Sequence, residues 1–387
     1  MKKKIAILGS TGSIGSTLLS LIDKKNYEIA LLVANKNYKK VLDQAINYNV
    51  KNIIITDYES YQKSLLLNRN KQIKIYNNFN NLKKFIQNKL DYVMSSIVGI
   101  DGLNPTMTMI KFTKVIAIAN KESLICAWPI INRQLKKYKT KFIPVDSEHF
   151  SIWSEIKDKN RSEIKKIYLT ASGGPLLNFN FKYLSKVKIK DITKHPTWKM
   201  GKKISVDSAT MMNKCFEVME AKNIFNLNYD QISIAIHPDS YIHALIEYQN
   251  GISKAIIHET TMKIPISNSI NLKNNIYDGI SDINFKKMNN LKFQKVAINK
   301  YPIINLLKIL PNNSSLFDTA IVSVNDFIVN EFLNNKISYK KISKLILKIL
   351  RSKEFIKYKK IIPKEISQII NLDKKIKFRL PKLLDYN

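Results

Sequence analysis

The chain has 387 residues, 45% of them apolar and 10% aromatic, which excludes a disordered chain and predicts two or three domains. Its formal charge of +34 would ordinarily point to nucleic acid, yet only five of its 64 basic residues are arginine (Arg69, Arg133, Arg161, Arg351 and Arg379). Base-reading and phosphate-forking surfaces favour arginine, so the scattered lysines are read as drift in composition that leaves a weak attraction for polyanions and no specific nucleic-acid partner.

The start, Met1-Lys2-Lys3-Lys4 followed by Ile5-Ala6-Ile7-Leu8, imitates a signal peptide, but the apolar run stops at Gly9. Residues 4–8 are therefore expected as a buried first strand with no export signal, and no run is long enough to cross a bilayer. Cys126 and Cys215 form neither a disulfide framework nor a zinc spacing, which fits a reducing cytosol and a cytoplasmic location. Gly9-Ser10-Thr11-Gly12-Ser13-Ile14-Gly15 then joins the first strand to a short apolar helix around Leu18, Leu19, Leu21 and Ile22. Glycines there let the backbone approach a pyrophosphate, and the helix N-terminus supplies amides. A second strand, Glu28 to Val33, ends in Ala34-Asn35-Lys36-Asn37. An NAD site places an acid at this point; an amide and a lysine suit a 2′-phosphate, so NADPH is favoured over NADH.

Helical stretches, such as Lys39 to Ala45, alternate with further strands at Asn52–Ile55, Tyr92–Met94, Val115–Ile118 and Lys141–Val145. That alternation predicts a parallel sheet wrapped on both faces over residues 1–150. Residues 151–290 mix strands (Lys166–Thr170, Gln231–Ile236, Lys254–His258) with helices, as an α+β domain. A Pro- and Asn-rich stretch within 291–315 reads as a linker, and 316–387 as a small helical bundle. In that bundle Ile321, Val324, Ile328 and Phe332 form one apolar stripe, and Ile342, Leu345, Ile346, Ile349 and Leu350 another.

Two short segments carry the chemistry. In Pro144-Val145-Asp146-Ser147-Glu148-His149 the two acids sit two apart, so on an extended segment both carboxylates point to one side. In Ser205–Glu217, Asn213, Lys214 and Glu217 share a helical face, and Ser208 stands where a helix N-cap would, beside orphan amides. Brought together, they make a three-carboxylate cradle beside a lysine and several hydroxyls. Hard oxygen ligands suit Mg²⁺ or Mn²⁺, and hydroxyl, amide and ammonium donors suit a phosphate. Ser172 precedes Gly173-Gly174, whose backbone can approach an anion closely. Glu220 reads as a solvated or structural acid; His149, His237 and His243 as hydrogen-bonded or supporting groups; His258 as structural; Met211 and Met212 as core filling; and both cysteines as buried, inert thiols.

With these segments in order, the chain resembles the 1-deoxy-D-xylulose 5-phosphate reductoisomerases over nearly its full length. The likeness rests on Gly9–Gly15, Ala119-Asn120-Lys121-Glu122-Ser123, Pro144–His149 and Ala171-Ser172-Gly173-Gly174-Pro175. It continues through His195-Pro196-Thr197-Trp198-Lys199-Met200-Gly201, Ser205–Glu217, and His237-Pro238-Asp239-Ser240 with His243. The resemblance implies a Rossmann-like NADPH domain, a catalytic domain, a helical C-terminal bundle and a homodimer. It implies a divalent-metal- and NADPH-dependent rearrangement and reduction of 1-deoxy-D-xylulose 5-phosphate to 2-C-methyl-D-erythritol 4-phosphate.

It further implies Asp146, Glu148 and Glu217 as metal ligands and Lys121 and Ser147 on the substrate's oxygens. Ser172, Ser208, Asn213 and Lys214 would hold the phosphate. Thr11, Gly12, Ser13, Ile14, Asn35, Lys36, Asn37, Asn120, Glu122 and Gly201 would meet the coenzyme. Residues 192–203 are read as a lid by resemblance, with Trp198 over the substrate's carbon backbone and His195 reaching the phosphate. Four places depart from the family pattern: Asn35 and Cys215 stand for glycines, Asp239 for a glutamine, and Ser323-Val324-Asn325-Asp326 for an Ala-Asn-Glu-like stretch. None removes a proposed ligand. The rival readings are a plain NADPH oxidoreductase and a lysine-rich nucleic-acid-binding protein that has lost catalysis.

Overall fold

The computed structural model describes residues 1–68, 72–193, 198, 201–270 and 282–383, and it divides into two compact units. The first comprises Met1–Ser123, Ile131–Phe150 and Met262–Ile280, and the second Leu124–Ile130, Ser151–Thr261 and Ser281–Asn387.

In the first unit, β1 (Lys3–Leu8) is made by a run whose Ile5 to Leu8 are wholly buried, as expected of a strand covered on both faces. It is followed by β2 (Tyr27–Ala34), β3 (Asn52–Ile55), β4 (Lys74–Tyr76), β5 (Tyr92–Ser95), β6 (Val115–Ile118) and β7 (Lys141–Pro144). All pair in parallel, in the order β4-β3-β2-β1-β5-β6-β7. The order reverses beside β1, which marks the dinucleotide crevice of doubly wound sheets. Helix α1 (Ser13–Leu21) follows β1 and α2 (Tyr38–Asn47) follows β2, and Leu18, Leu19, Val41, Leu42 and Ala45 pack into one core with the strands. β4, a three-residue strand at the sheet's edge, has too little apolar sequence to announce itself.

The helix Lys263–Ser269 also belongs to this unit. Ile266 and Ile270 are buried in its core, and the Tyr92 hydroxyl lies 2.7 Å from Ser269 Oγ.

The second unit is built on a five-stranded mixed sheet of β8 (Ile164–Ala171), β9 (Ile232–Ile236), β10 (Ile242–Tyr248), β11 (Ser253–Ile257) and β12 (Gln294–Lys295), ordered β11-β10-β8-β9-β12. β8 and β9 are parallel; the other pairs are antiparallel. The helix Met212–Phe225 covers it, with Val218, Ala221 and Phe225 in a core shared with Ile167, Leu169, Ala244 and Ile246. Residues 302–309 form a 3₁₀ segment, and the C-terminal part is helical over Leu316–Leu333, Tyr339–Leu350 and Ile366–Leu383. The expected stripe of Ile321, Val324, Ile328 and Phe332 is buried; in the next helix Leu347 is buried while Leu345 and Ile349 are half-buried. Among the described residues no helix is long and apolar enough to cross a membrane.

Candidate active site

The glycine loop in the first unit has the geometry its spacing predicts. Gly9 adopts φ +84° where a Cβ would stand 2.8 Å from Ser96 O, so only glycine makes the turn. A Cβ on Gly15 would meet Gly9 O at 2.4 Å, so this glycine lets α1 close on the loop. Gly12 is the N-cap of α1 and makes no side-chain cap, which leaves the helix's first amides to solvent or a ligand. Thr11 and Ile14 are half-buried, and Gly12 and Ser13 exposed. Asn35, Lys36 and Asn37 follow β2 and are all exposed. Asn35 donates to Thr56 Oγ1 at 2.8 Å, and Asn37 caps α2 by accepting from Lys40 N–H at 3.4 Å. Asn120 is buried and caps the helix Lys121–Tyr138; its amide also donates to Ile97 O and, at 2.8 Å, to Gly99 O. Its side chain is therefore occupied in holding the 97–99 turn. Glu122 is buried in the first turn of the same helix.

The acidic segment differs from the extended arrangement expected. The strand stops at Pro144, and the helix Ser147–Ile156 begins at once. Asp146 caps it: Oδ1 accepts from the backbone N–H of Glu148 (3.2 Å) and of His149 (3.4 Å) and lies 2.9 Å from His149 Nδ1. Aspartate is among the strongest N-cap residues, and the helix dipole favours both acids at this end. Asp146 Oδ2 pairs with the Lys121 ammonium. Burial alone would raise the Asp146 pKa, but Lys121 and His149 outweigh it and hold the carboxyl well below the usual carboxylate range. Ser147 is buried and donates to Glu148 Oε2; Glu148 is half-buried. His149, wholly buried, supports Asp146, as read from the sequence.

In the second unit, Asn213, Lys214 and Glu217 share one face of the helix Met212–Phe225, as their spacing predicts. Asn213 Nδ2 donates to Glu217 Oε1 at 2.5 Å, and the Lys214 ammonium pairs with Glu217 Oε2 and donates to Thr170 O at 2.6 Å. Asn213 is half-buried, whereas the Lys214 and Glu217 side chains are only 5% and 1% exposed.

Ser208 is not an N-cap. It lies in the last turn of the helix Lys202–Thr210, whose N-cap is Gly201, and its carbonyl accepts from Met211 N–H at 3.1 Å. Met211 at φ +68° ends that helix and starts the next without a linker, so the orphan amides lie beyond Ser208. The glycine pair after Ser172 is likewise demanded by packing. Gly173 and Gly174 adopt φ +82° and +71°, and a Cβ on Gly174 would lie 2.7 Å from Ser208 O. The pair brings half-buried Ser172 beside half-buried Ser208, and Ser172 Oγ accepts from Gly174 N–H at 3.1 Å.

Glu220 is 1% exposed, which removes the solvated reading and leaves the structural one. Cys126 and Cys215 are buried thiols outside any disulfide; burial pushes the Cys215 thiol up, and its Sγ lies 3.7 Å from Ile303 O. His195 and five other residues of 192–203 (194, 196, 197, 199 and 200) lie outside the described residues. Trp198 is half-buried and meets the His243 ring edge-on at 6.2 Å; His243 in turn stacks on His258 at 3.6 Å. His258 also lies 3.2 Å from Ser151 Oγ, and burial lowers its pKa. His237 is buried with Nδ1 3.0 Å from Lys292 O.

Several supporting side chains escaped the sequence reading. The Tyr301 hydroxyl donates to Gly173 O (2.8 Å), the Tyr339 hydroxyl to Ala209 O (2.7 Å), and Asn325 Nδ2 to Asp207 Oδ1 (2.8 Å), while Lys203 pairs with Asp326 at 2.6 Å. The C-terminal helices thus buttress the segment around Ser208, and Tyr301 the segment after Ser172.

Three family models match the chain: 1-deoxy-D-xylulose 5-phosphate reductoisomerase over residues 5–128, its C-terminal domain over 142–225, and the DXP reductoisomerase C-terminal domain over 257–379. A 1-deoxy-D-xylulose 5-phosphate reductoisomerase of Pelagibacter ubique is 51% identical, covering 98% of this chain and 99% of that protein. One from Buchnera aphidicola is 37% identical with 98% of each covered. A crystal structure of DOX-P reductoisomerase in complex with NADPH, fosmidomycin and magnesium is 29% identical, with a TM-score of 0.91 and full coverage of both chains. The Zymomonas mobilis enzyme in complex with NADPH is 28% identical, with a TM-score of 0.87 and full coverage of both.

Proposed function

Because the chain belongs to the 1-deoxy-D-xylulose 5-phosphate reductoisomerase family, we propose that it converts 1-deoxy-D-xylulose 5-phosphate to 2-C-methyl-D-erythritol 4-phosphate with NADPH and Mg²⁺ or Mn²⁺. The observation that carries this reading is the buried Asn213–Lys214–Glu217 cluster, whose acid is held ready and neutralised by a lysine. Asp146 stands in the same relation to Lys121. The donor set fits a hard dication: carboxylate oxygens only, with His149 turned onto Asp146 as a supporting partner. Related structures in complex with NADPH and with magnesium support the cofactors.

When bound, the ion supplies Lewis acidity to the substrate's carbonyl and neighbouring hydroxyl, and NADPH supplies the hydride. Asp146, Glu148 and Glu217 would hold the ion, and Lys121 and Lys214, which pair with Asp146 and Glu217, would serve the substrate's oxygens and phosphate. Ser172, Ser208, Asn213 and Lys214 grip the phosphate, which does not react, and so fix the reacting carbons. Lys121 and Ser147 hold the substrate's oxygens while the carbon skeleton rearranges to a branched aldehyde. Trp198 covers the carbon backbone and excludes water, and His195 reaches the phosphate. Thr11, Gly12, Ser13 and Ile14 meet the coenzyme's pyrophosphate; Asn35, Lys36 and Asn37 its 2′-phosphate; and Asn120, Glu122 and Gly201 the rest of it. The coenzyme role falls to residues 1–150 and the catalytic role to 151–290, with 192–203 as lid and 316–387 as support; 291–315, expected as a linker, instead carries β12 and the 302–309 segment of the second unit. Assembly as a homodimer follows the family likeness, and a cytoplasmic location fits two buried thiols outside any disulfide.

The test is an NADPH oxidation assay on the purified protein with the ketose phosphate and Mg²⁺, and with the product identified by NMR. Oxidation should stop on EDTA and return with added Mg²⁺. Equal oxidation with and without EDTA would leave a plain oxidoreductase. No oxidation, with tight sequence-selective DNA binding at physiological salt, would leave the nucleic-acid reading.

A further inference from the structure

Helix α2 reaches back to the glycine loop with two side chains one turn apart. Lys40 Nζ donates to Thr11 O and to Ser16 Oγ, both at 2.9 Å. Gln44 Nε2, on a residue 9% exposed, donates to Ser10 O at 2.9 Å. Ser16 Oγ donates to the same Ser10 carbonyl at 3.2 Å. Lys40 and Gln44 are four apart and so share a helix face, and Asn37 caps the helix that carries them.

A planar trans peptide points its carbonyl and its N–H in opposite directions. Holding Ser10 O towards α2 therefore directs the Thr11 N–H away from α2. Among the described residues that N–H makes no backbone hydrogen bond outside regular elements, whereas the Gly12 N–H is used within the loop on Gly9 O at 3.1 Å. The Lys40 contact holds Thr11 O from the same helix.

Resting on the reading that residues 9–15 take the coenzyme's pyrophosphate, we propose that Lys40 and Gln44 are positioning residues that lock this loop in its anion-accepting shape. Their role is common to both nicotinamide coenzymes, because NADPH and NADH share the pyrophosphate. Lys36, by contrast, acts on the 2′-phosphate that NADPH alone carries.

The experiment is isothermal titration calorimetry of the full chain with NADPH and with NADH, for the wild type and for Lys40→Met, Lys40→Arg, Gln44→Met and Lys36→Met. Amide hydrogen exchange of the 10–16 segment is measured on the same samples without coenzyme. Lys40→Met should raise both dissociation constants about five- to tenfold and speed exchange in the loop, and Lys40→Arg should recover most of the affinity. Lys36→Met should weaken NADPH only. Lys40 is exposed, so its substitution leaves the core intact if Gln44→Met fails to fold. A Lys40→Met protein that loses affinity for NADPH alone, or that binds both coenzymes as the wild type does, overturns the inference while the coenzyme reading stands. A wild-type protein that binds neither overturns both.

Discussion

Replacing Glu217 by glutamine separates the chemistry of the site from its architecture. Glu217 and Lys214 are 1% and 5% exposed, and the ammonium pairs with the carboxylate and donates to Thr170 O at 2.6 Å. Removing one charge of a buried pair costs ~3–5 kcal/mol. Glutamine keeps an acceptor near the ammonium and a partner for Asn213, which recovers about 1 kcal/mol. The net loss of about 2–4 kcal/mol corresponds to a fall in Tm of about 4–16 °C for a unit of this size. With Glu217 as a proposed metal ligand and Lys214 as a proposed phosphate contact, turnover should fall much further, by about a thousandfold or more. NADPH binding should persist, since the glycine loop and Asn35–Asn37 belong to the first unit. The double variant Lys214→Met/Glu217→Gln removes both charges and should regain most of the stability with no turnover. Turnover would be followed by NADPH absorbance across a Mg²⁺ titration, coenzyme binding by fluorescence, and stability by thermal unfolding. Wild-type turnover at the wild-type Mg²⁺ demand in Glu217→Gln would exclude Glu217 as a ligand. Restored turnover in the double variant would show that the single loss was structural.

Asp318, buried in the capping box of the helix Leu316–Leu333, has its pKa raised to about 7, chiefly by burial. A raised acid favours the folded state while protonated, so its contribution is full below about pH 4 and is lost as pH rises through about 7, by up to ~4 kcal/mol. Asp318→Asn should remove that loss: urea midpoints of variant and wild type should diverge between pH 5 and pH 8, and parallel pH profiles would refute the assignment. Gly174→Ala forces a left-handed φ on an L-residue and a Cβ 2.7 Å from Ser208 O. It should cost ~2–3 kcal/mol and raise KM for the substrate; an unchanged urea midpoint would refute the packing argument.

The amino-acid sequence by itself determined the elements and the residue types of the site. Ile5–Leu8 is apolar without alternation, so it had to be a strand buried on both faces, and Gly9, Gly12 and Gly15 had to follow it in a turn. Helical periodicity alone put Asn213, Lys214 and Glu217 on one face. Local spacing went wrong where two local rules competed. A period of two placed Asp146 and Glu148 on a strand, but the capping preference of aspartate won and began a helix at Ser147. Ser208 looked like a cap until Met211, in the left-handed region, proved to be the break between two helices.

What only the tertiary structure decided are the long-range contacts: Tyr301 on Gly173, Asn325 on Asp207, Lys40 and Gln44 on the glycine loop, and the return of Lys263–Ser269 to the first core. Each joins residues from 29 to more than a hundred positions apart through a single hydrogen bond or a few buried side chains. Periodicity records which face of an element is buried, and it carries no record of which distant element buries it.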